Sequence, residues 1–406
     1  MSDPISITQI TATCPACGLL CDDIVLENTK LVNTNCAKAI AFFEQPVDDT
    51  FAQVNGKPVT LQQAIAKAAE ILKQAHKPIF SGLSTDVHGF RALYHLSQKT
   101  NAKLCHMNAA SMARNLKVLQ STGWQTTTLT EVKNRTDVIV CFGSDIVSHN
   151  PRFFERFVDV DGMFVEAENR QVIILGETSN QGFNKSDALQ AAWILPCRAD
   201  DLPSISIALR ALVAGKQLKA TEVAGVQVSN LQKLADKLKQ AKYAVLAWVA
   251  KDLDFPHAEL TIQNITETVN ILNITTRTAG LPLGGSDGDT SANNANTWLS
   301  GLALSDEHTE HDAMLWVNSF NPEKLPPKTN KPLIIIGNSN IKHQADVFIP
   351  VATPGLDCSG TLFRVDSAVI LPLKKVRQNT LPTLSEVLRQ IEAQLLVSNQ
   401  VVSNQA

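Results

Sequence analysis

Short apolar runs that end in glycine or another small residue recur along most of this 406-residue chain. The clearest is Asp137–Gly143, in which five consecutive apolar residues lead directly into glycine. Runs that are apolar at every position are typical of strands buried on both faces, as in parallel sheets. Similar runs lie at 77–83, 171–176, 243–249, 314–317 and 332–337. Because helical patterns alternate with these runs, the sequence predicts an α/β fold with parallel sheets.

Helical periodicity fills many of the intervals between the apolar runs. Thr60-Leu-Gln-Gln63 is a capping box that opens an amphipathic helix. The remaining helices are expected near 85–99, 109–121, 201–214, 230–241, 257–271 and 384–396. Residues 281–298 are rich in Gly, Ser, Asp and Asn, and we expect there a long loop that lines a site.

Bulk composition excludes several classes of function. The net charge of −3 gives no electrostatic basis for binding nucleic acid or a membrane surface. Aromatic residues make up only 5% of the chain, which argues against a base-stacking platform. No apolar run reaches about 18 residues, and the first residues lack the pattern of a signal peptide. With four further cysteines scattered and expected to be reduced, we predict a cytoplasmic protein.

Four cysteines lie within the first 36 residues, at Cys14, Cys17, Cys21 and Cys36. This close spacing can supply four thiolates to one tetrahedral site, which would hold zinc or an iron–sulfur cluster. Disulfides or unconnected core cysteines are the alternatives. We predict a present or former metal site in a small N-terminal domain, in which residues 24–26 and 30–32 form two short strands on either side of a turn at 27–29.

Two further groups of polar residues could carry chemistry. His149-Asn-Pro-Arg152 follows the Asp137–Gly143 strand, and loops after parallel strands line ligand sites. A structural role, with Arg152 paired to Glu155 or Glu166, is the competing interpretation. His308 and His311 have the spacing of a metal half-site but lack further ligands, which favours a solvated helix end.

Several stretches together resemble the molybdopterin oxidoreductases, and within them the B subunit of formylmethanofuran dehydrogenase. The resemblance is collinear over nearly the whole chain. The segments that carry it are Cys17–Ile24, Thr130–Asp137, His149–Arg152, Asn293–Gly301, Ala345–Pro350 and Gly360–Arg364.

The resemblance implies a small four-cysteine domain over residues 1–55. It implies two interleaved Rossmann-like α/β domains of the molybdopterin oxidoreductase type over residues 56–406. The resemblance further implies that this chain lacks the C-terminal β-barrel of the wider superfamily. In formylmethanofuran dehydrogenases that barrel lies on a separate subunit, so the resemblance also implies a multi-subunit complex.

One departure from the family pattern bears on function. Redox-active relatives bind molybdenum or tungsten through a cysteine or selenocysteine shortly before a helix that ends in glycine. Here, counting back from Gly123 places Ser111 at that position, or Ala113 if a gap is allowed. Cys105-His106 is the only Cys-His pair nearby, but it lies too early and inside an apolar strand.

A B subunit without the metal-binding cysteine resembles that of the formyltransferase/hydrolase complex of methylotrophic bacteria. This resemblance implies a redox-silent structural subunit without catalytic residues, in tetrahydromethanopterin-linked conversion of formaldehyde to formate. We expect no molybdo- or tungstopterin, and either a [4Fe-4S] cluster or zinc at the four cysteines. Expected partners are an amidohydrolase-like A subunit, a formyltransferase, a barrel-type C/D subunit and, through the complex, a methanofuran-type carrier. The alternatives are a redox-active formylmethanofuran dehydrogenase subunit and a plain zinc–thiolate scaffold.

Overall fold

The computed structural model describes residues 9–27, 30–46, 50–143, 145–177, 186–304 and 310–403, with side chains up to residue 396. The chain forms two units, each assembled from separate stretches of sequence. Unit 1 comprises Met1–Ala109, Ser286–Arg364 and Val369–Ala406, and unit 2 comprises Ala110–Gly285 and Val365–Ala368.

Strands and helices alternate through both units. The strands of the described residues are β1 (Gln9–Ala12), β2 (Ile24–Glu27), β3 (Lys30–Leu31), β4 (Gln53–Val54), β5 (Lys57–Pro58), β6 (Pro78–Ser84), β7 (Lys103–His106), β8 (Val138–Phe142), β9 (Gln171–Leu175), β10 (Trp193–Leu195), β11 (Glu222–Val223), β12 (Val226–Gln227), β13 (Ala244–Val249), β14 (Thr278–Leu283), β15 (Ala313–Asn318), β16 (Leu333–Gly337), β17 (Val347–Pro350), β18 (Gly360–Phe363) and β19 (Ile370–Leu373). The helices are α1 (Ala37–Phe43), α2 (Leu61–Gln74), α3 (Val87–Thr100), α4 (Ala109–Ser121), α5 (Leu129–Arg135), α6 (Ile146–His149), α7 (Phe153–Phe157), α8 (Asp187–Gln190), α9 (Leu202–Val213), α10 (Val228–Gln240), α11 (Ala258–Leu272), α12 (Asp289–Ser300) and α13 (Leu384–Ser403).

Unit 1 is built on a seven-stranded sheet with the order β5-β4-β17-β16-β15-β6-β7. Its five strands from β17 to β7 run parallel, and the register aligns Met314 with both Ile79 and Leu333. Every residue of β6, β15 and β16 is buried, as expected for strands covered on both faces. Helix α13 packs against α2 and α3, and α12 also packs against α3. The strands predicted at 77–83, 314–317 and 332–337 are confirmed.

The N-terminal residues of unit 1 form a separate antiparallel sheet, β1-β2-β3. The two strands predicted around 24–26 and 30–32 are confirmed as β2 and β3, whereas β1 was not predicted. Asn28 and Thr29, predicted to form the turn, lie outside the described residues.

Unit 2 is built on a five-stranded, fully parallel sheet with the order β10-β9-β8-β13-β14. The chain proceeds outward from β8 through β9 to β10, then returns to the other side for β13 and β14. Strand order therefore reverses between β8 and β13, and such a switch point leaves a crevice outside the carboxyl ends of the two strands. Helices α9, α10 and α11 bury their apolar faces together with β8 and β13 in one hydrophobic core.

The α/β fold with parallel sheets is confirmed, but one prediction was wrong. Residues 281–298 do not form a long loop: β14 continues to Leu283, and α12 begins at Asp289. The true connection is short and turns through Gly284, Gly285 and Gly288, all of which have positive φ. Asn and Ser occur inside α12, where tertiary packing outweighs their weak helix propensity. Among the described residues, none of the helices is long and apolar enough to cross a membrane.

Candidate functional site

The four N-terminal cysteines lie on the loop between β1 and β2 and at the start of α1. Cys14, Cys17 and Cys21 are buried, whereas Cys36 is half-buried at the N-cap of α1. The Cys14 amide donates to the Cys21 carbonyl at 2.9 Å, which folds the first three cysteines into one turn. Leu20, inside that turn, has a φ of 46°. All eight cysteines lie in the described residues, and none of them forms a disulfide.

The four thiols are close enough to influence one another electrostatically. Burial raises the pKa of the Cys14 thiol well above its usual range, and the charges of Cys17, Cys21 and Cys36 raise it further. A bound cation would instead lower the pKa of these thiols, because it stabilises thiolates. In the part of the chain that the structure describes, however, no three His, Cys, Asp or Glu side chains converge on a point that could hold an ion. The assignment of these four cysteines as metal ligands therefore stays a prediction.

A His–Asp pair lies at the switch point of unit 2. His149 follows β8 and Asp252 follows β13, and the His149 Nε2 lies 2.6 Å from the Asp252 Oδ1. The second Asp252 oxygen accepts the Asp145 amide at 3.1 Å. Asp252 thus joins the two loops that border the crevice, and both members of the pair retain 22% side-chain exposure. The pair could bind a polar ligand or exchange a proton with it.

Side chains of helix α4 also make hydrogen bonds at the carboxyl edge of the unit 2 sheet. Arg114 donates to the Ala250 carbonyl at 2.8 Å and pairs with Asp254, both just beyond β13. The Trp248 indole N–H donates to the Asn115 Oδ1 at 2.9 Å. These contacts hold the first turns of α4 at the carboxyl end of β13. Ser111 and Ala113 lie in those turns, Ser111 half-buried and Ala113 buried.

Asn150 fixes the loop after β8 to the end of β14. Its side-chain amide donates to the Gly284 carbonyl at 2.8 Å, and its Oδ1 accepts the Gly284 amide at 2.7 Å. Asn150 is fully buried, so water cannot replace either bond. Arg152 pairs with Glu155 at 2.6 Å, as the structural interpretation of this segment predicted.

We expect Asn150→Ala to lower the free energy of unfolding by about 2 kcal/mol, because it leaves the buried N–H and C=O of Gly284 without their hydrogen-bond partners. Chemical denaturation monitored by circular dichroism would measure the change. Ser148→Ala is the matched control, because Ser148 is an exposed neighbour whose hydroxyl makes only a local bond. Equal losses in the two variants would contradict the role assigned to Asn150.

A second polar group lies at the carboxyl edge of the unit 1 sheet. His106, the last residue of β7, is fully buried and accepts the Asn108 amide on Nδ1 at 3.0 Å. Its Nε2 lies 3.3 Å from the Asp287 carbonyl, so the proton resides on Nε2. Burial lowers the pKa of His106, although Asp289 and Asp287 oppose the shift, and the ring is neutral at pH 7.

Asp287 is a buried carboxylate in the turn before α12, and it pairs with Lys324. Burial acts to raise the pKa of Asp287, but the Lys324 charge and its hydrogen bond prevail and hold that pKa below its usual range. Asn318, at the end of β15, accepts the Asn321 amide and donates to the Lys324 carbonyl, which positions Lys324.

Buried hydroxyls without partners accompany this polar edge. Within the described residues, three such hydroxyls at or just after the ends of β6 and β15 lack a hydrogen-bond partner, namely Ser84, Thr85 and Ser319, and so does Ser81 in the middle of β6. Unpaired buried polar groups are unusual and call for a functional or structural explanation. Sequence reasoning missed this edge. The signal was available as small polar residues directly after apolar strands, in Ser84-Thr85-Asp86 and Asn318-Ser319.

The Cys105 thiol lies in the interior of unit 1. It is fully buried and shares an apolar cluster with Ile79, Met314 and Trp316. Its sulfur lies 3.9 Å from the His106 carbonyl. Of the two histidines that have the spacing of a metal half-site, His308 lies outside the described residues. Asp312 accepts the backbone amides of His76 and Lys77 at 2.7 and 2.9 Å, which is a structural use of that carboxylate.

No protein-family model matches the chain. Three curated relatives are similar over most of its length. The B subunit of tungsten-containing formylmethanofuran dehydrogenase 2 is 27% identical both from Methanocaldococcus jannaschii and from Methanococcus maripaludis, over 89% of this chain and 92% of each relative. The chain is a homologue of this formylmethanofuran dehydrogenase B subunit. The Fhc B subunit of the formyltransferase/hydrolase complex of Methylorubrum extorquens is 25% identical, over 79% of this chain and 90% of the relative.

A solved structure shares the fold of this chain. It is a chain of the crystal structure of the formyltransferase/hydrolase complex (FhcABCD) from Methylorubrum extorquens in complex with methylofuran. The superposition has a TM-score of 0.71 at 24% identity and covers 86% of this chain and 99% of that one. This superposition shows a shared fold, and the curated relatives confirm the resemblance to B subunits inferred from the sequence.

Proposed function

We propose that this chain is the B subunit of a formylmethanofuran dehydrogenase-like formyltransferase/hydrolase complex, and that it is redox-silent. The complex would act in tetrahydromethanopterin-linked oxidation of formaldehyde to formate. The observation that carries the proposal is the likeness to both kinds of B subunit over most of the chain, combined with a helix α4 that begins without a thiolate. The chain would be a structural subunit within the cytoplasm.

The geometry of α4 supports the redox-silent assignment. Arg114 and Asn115 anchor the first turns of the helix beside β13, where Ser111 and Ala113 are the residues available. A serine hydroxyl is a hard ligand, and an alanine is no ligand at all, so neither matches the soft thiolate of redox-active relatives. Cys105 could not serve without unpacking β7, because its thiol is enclosed by apolar side chains.

The resemblance also supports finer features of architecture and assembly. We propose a small N-terminal domain that carries Cys14, Cys17, Cys21 and Cys36, followed by α/β domains of the molybdopterin oxidoreductase type. The C-terminal barrel would be supplied by a barrel-type C/D subunit. An amidohydrolase-like A subunit and a formyltransferase would complete the complex, and a methanofuran-type carrier would be its substrate.

One observation favours a second candidate function. The two relatives at 27% identity are subunits of tungsten-containing formylmethanofuran dehydrogenases. A redox-active B subunit would hold a molybdo- or tungstopterin and pass electrons to a [4Fe-4S] cluster at the four cysteines. The buried unpaired hydroxyls after β6 and β15 suit a hydrogen-bonding ligand of this kind.

An assay on the purified complex separates the two functions. We expect it to release formate from a formylated carrier without reducing a viologen dye. A bona fide tungsten formylmethanofuran dehydrogenase, assayed in parallel, provides the positive control for dye reduction. Dye reduction by the complex at a comparable rate would contradict the redox-silent proposal and support the alternative.

The four cysteines can be tested separately. We expect the purified chain to contain about one zinc ion, or about four iron ions with a broad visible absorption band. Cys14→Ser/Cys17→Ser should abolish this metal content, measured by mass spectrometry. Cys358→Ser is the matched control, because that thiol is half-buried and distant in sequence. A wild-type chain without metal, even after anaerobic purification, would contradict the prediction.

A further inference from the structure

Helix α3 presents an unusual surface for a chain of net charge −3. Its 14 residues contain four basic or titratable cationic groups and no acidic residue. These groups, His88, Arg91, His95 and Lys99, are all exposed. Their spacing of three, four and four residues places them along one face of the helix. We call this set the α3 stripe.

Three of the four side chains of the stripe make no ion pair or hydrogen bond with the described residues. Among the described residues, Arg91, His95 and Lys99 have no ion-pair or hydrogen-bond partner. The opposite side of α3 is fully occupied, because Phe90, Leu93 and Leu96 are buried. The stripe is therefore not needed to hold α3 in place, and its charges remain available.

An exposed aromatic residue lies on the helix that packs against α3. Helix α12 packs against α3, and the Tyr94 hydroxyl donates to the Leu299 carbonyl at 3.5 Å. The residue before Leu299 is Trp298, which is 65% exposed, and Leu302 beyond it is 68% exposed. Exposed Trp and Arg side chains on neighbouring helices are typical of protein interfaces, in which these two residue types contribute much of the binding energy.

We propose that the α3 stripe and Trp298 bind an acidic segment of another subunit of the complex. Charge complementarity selects this partner, since carboxylates would neutralise the exposed Arg91 and Lys99 charges and accept hydrogen bonds from the His88 and His95 rings between and beside them. The stripe extends over about 16 Å, which matches about five residues of extended chain. The inference rests on the proposed function only in taking the partner to be a subunit of the same complex.

Charge reversal on the full-length chain, co-purified with its partner subunits, tests the proposal. Arg91→Glu/Lys99→Glu should raise the dissociation constant for assembly by about ten-fold or more at low salt, and weaken its dependence on salt. Mass photometry across a dilution series, at low and at high salt, would measure the dissociation constant. Lys99→Glu alone should raise the constant about three-fold. Lys73→Glu is the matched control, because Lys73 is also an exposed lysine in the last turn of a 14-residue helix of unit 1.

Carbodiimide crosslinking identifies the occupant, because it joins a lysine only to a carboxylate in direct contact. In the assembled complex, Lys99 should crosslink to an Asp or Glu of a partner subunit, and Lys73 should not. Equal assembly by the double variant and the wild type would overturn the proposal. So would a double variant that assembles normally but loses binding of poly-L-glutamate, because the stripe would then serve a mobile polycarboxylate. Dye reduction by the complex would refute the proposed function, but it would change neither the effect of charge reversal on assembly nor the Lys99 crosslink.

Discussion

Arg170→Met should lower the free energy of unfolding of this chain by about 3 kcal/mol. Arg170 is 7% exposed, and its guanidinium donates to backbone carbonyls at the ends of α5 and α7 and in the segment that follows α7. The acceptors are the carbonyls of Val132, Lys133, Phe157, Val160 and Val165. Methionine fills similar space but removes every guanidinium bond. The Val132 and Val165 carbonyls keep the backbone amides of Thr136 and Gly162 as donors, whereas the carbonyls of Lys133, Phe157 and Val160 lose the Arg170 donor in a largely buried region.

The expected loss depends on geometry as well as on charge. Burial lowers the pKa of Arg170, although Asp161 and Asp159 oppose the shift. The hydrogen bonds to the carbonyls therefore have to offset the cost of removing the guanidinium from water. Arg170→Lys should therefore recover little stability, because one ammonium cannot span carbonyls that a planar guanidinium bridges. Arg135→Met is the matched control: Arg135 is exposed and pairs with Glu131, so its loss should cost less than about 1 kcal/mol. Urea denaturation would contradict the prediction if both methionine variants were equally stable.

Lys324→Met should destabilise the protein by about 3 kcal/mol at pH 7, because it leaves the Asp287 carboxylate buried without its counter-ion. Asp287 has 5% side-chain exposure, and Lys324 has 30%. Lys328→Met changes an exposed lysine four residues further on and should have an effect near zero. The double variant Asp287→Asn/Lys324→Met should recover part of the loss, since it removes the stranded charge.

The effect of Lys324→Met should depend on pH. In the wild type the pKa of Asp287 lies below its usual range, so its stabilising contribution is present above the unfolded pKa. That contribution is lost as pH falls through the lower folded pKa. In the variant, burial without Lys324 should raise the folded pKa, and the carboxyl should take up a proton at mildly acidic pH. The difference in stability between wild type and variant should thus shrink from pH 7 to pH 4. An unchanged difference would show that Asp287 does not respond to Lys324.

Much of the fold was predictable because strands buried on both faces leave a strong local pattern. The run at Asp137–Gly143 became β8, and the capping box at Thr60 opens α2 with both of its hydrogen bonds formed. The error over 281–298 arose because composition reflects local propensity, whereas α12 is stabilised by packing against α3. Short polar residues occur in loops and in buried helices alike.

The candidate site was less predictable than the fold. The pairing of His149 with Asp252 joins residues separated by 103 positions, and only the strand order brings them together. In the sequence, Arg170 could not be distinguished from any other charged residue that precedes a strand. Its role depends on carbonyls contributed by α5 and α7. The α3 stripe was present in the sequence as a helical repeat of Arg, Lys and His. Its significance required knowing that no carboxylate among the described residues pairs with Arg91 or Lys99.

In the proposed function, this B subunit is redox-silent because α4 begins without a thiolate ligand. The molybdenum and tungsten content of the purified complex, measured by mass spectrometry, provides the most direct test of that proposal. A redox-silent B subunit with Ser111 and Ala113 at this position predicts a metal content far below one atom per B subunit. A content of about one molybdenum or tungsten atom per B subunit, retained through gel filtration, would contradict it.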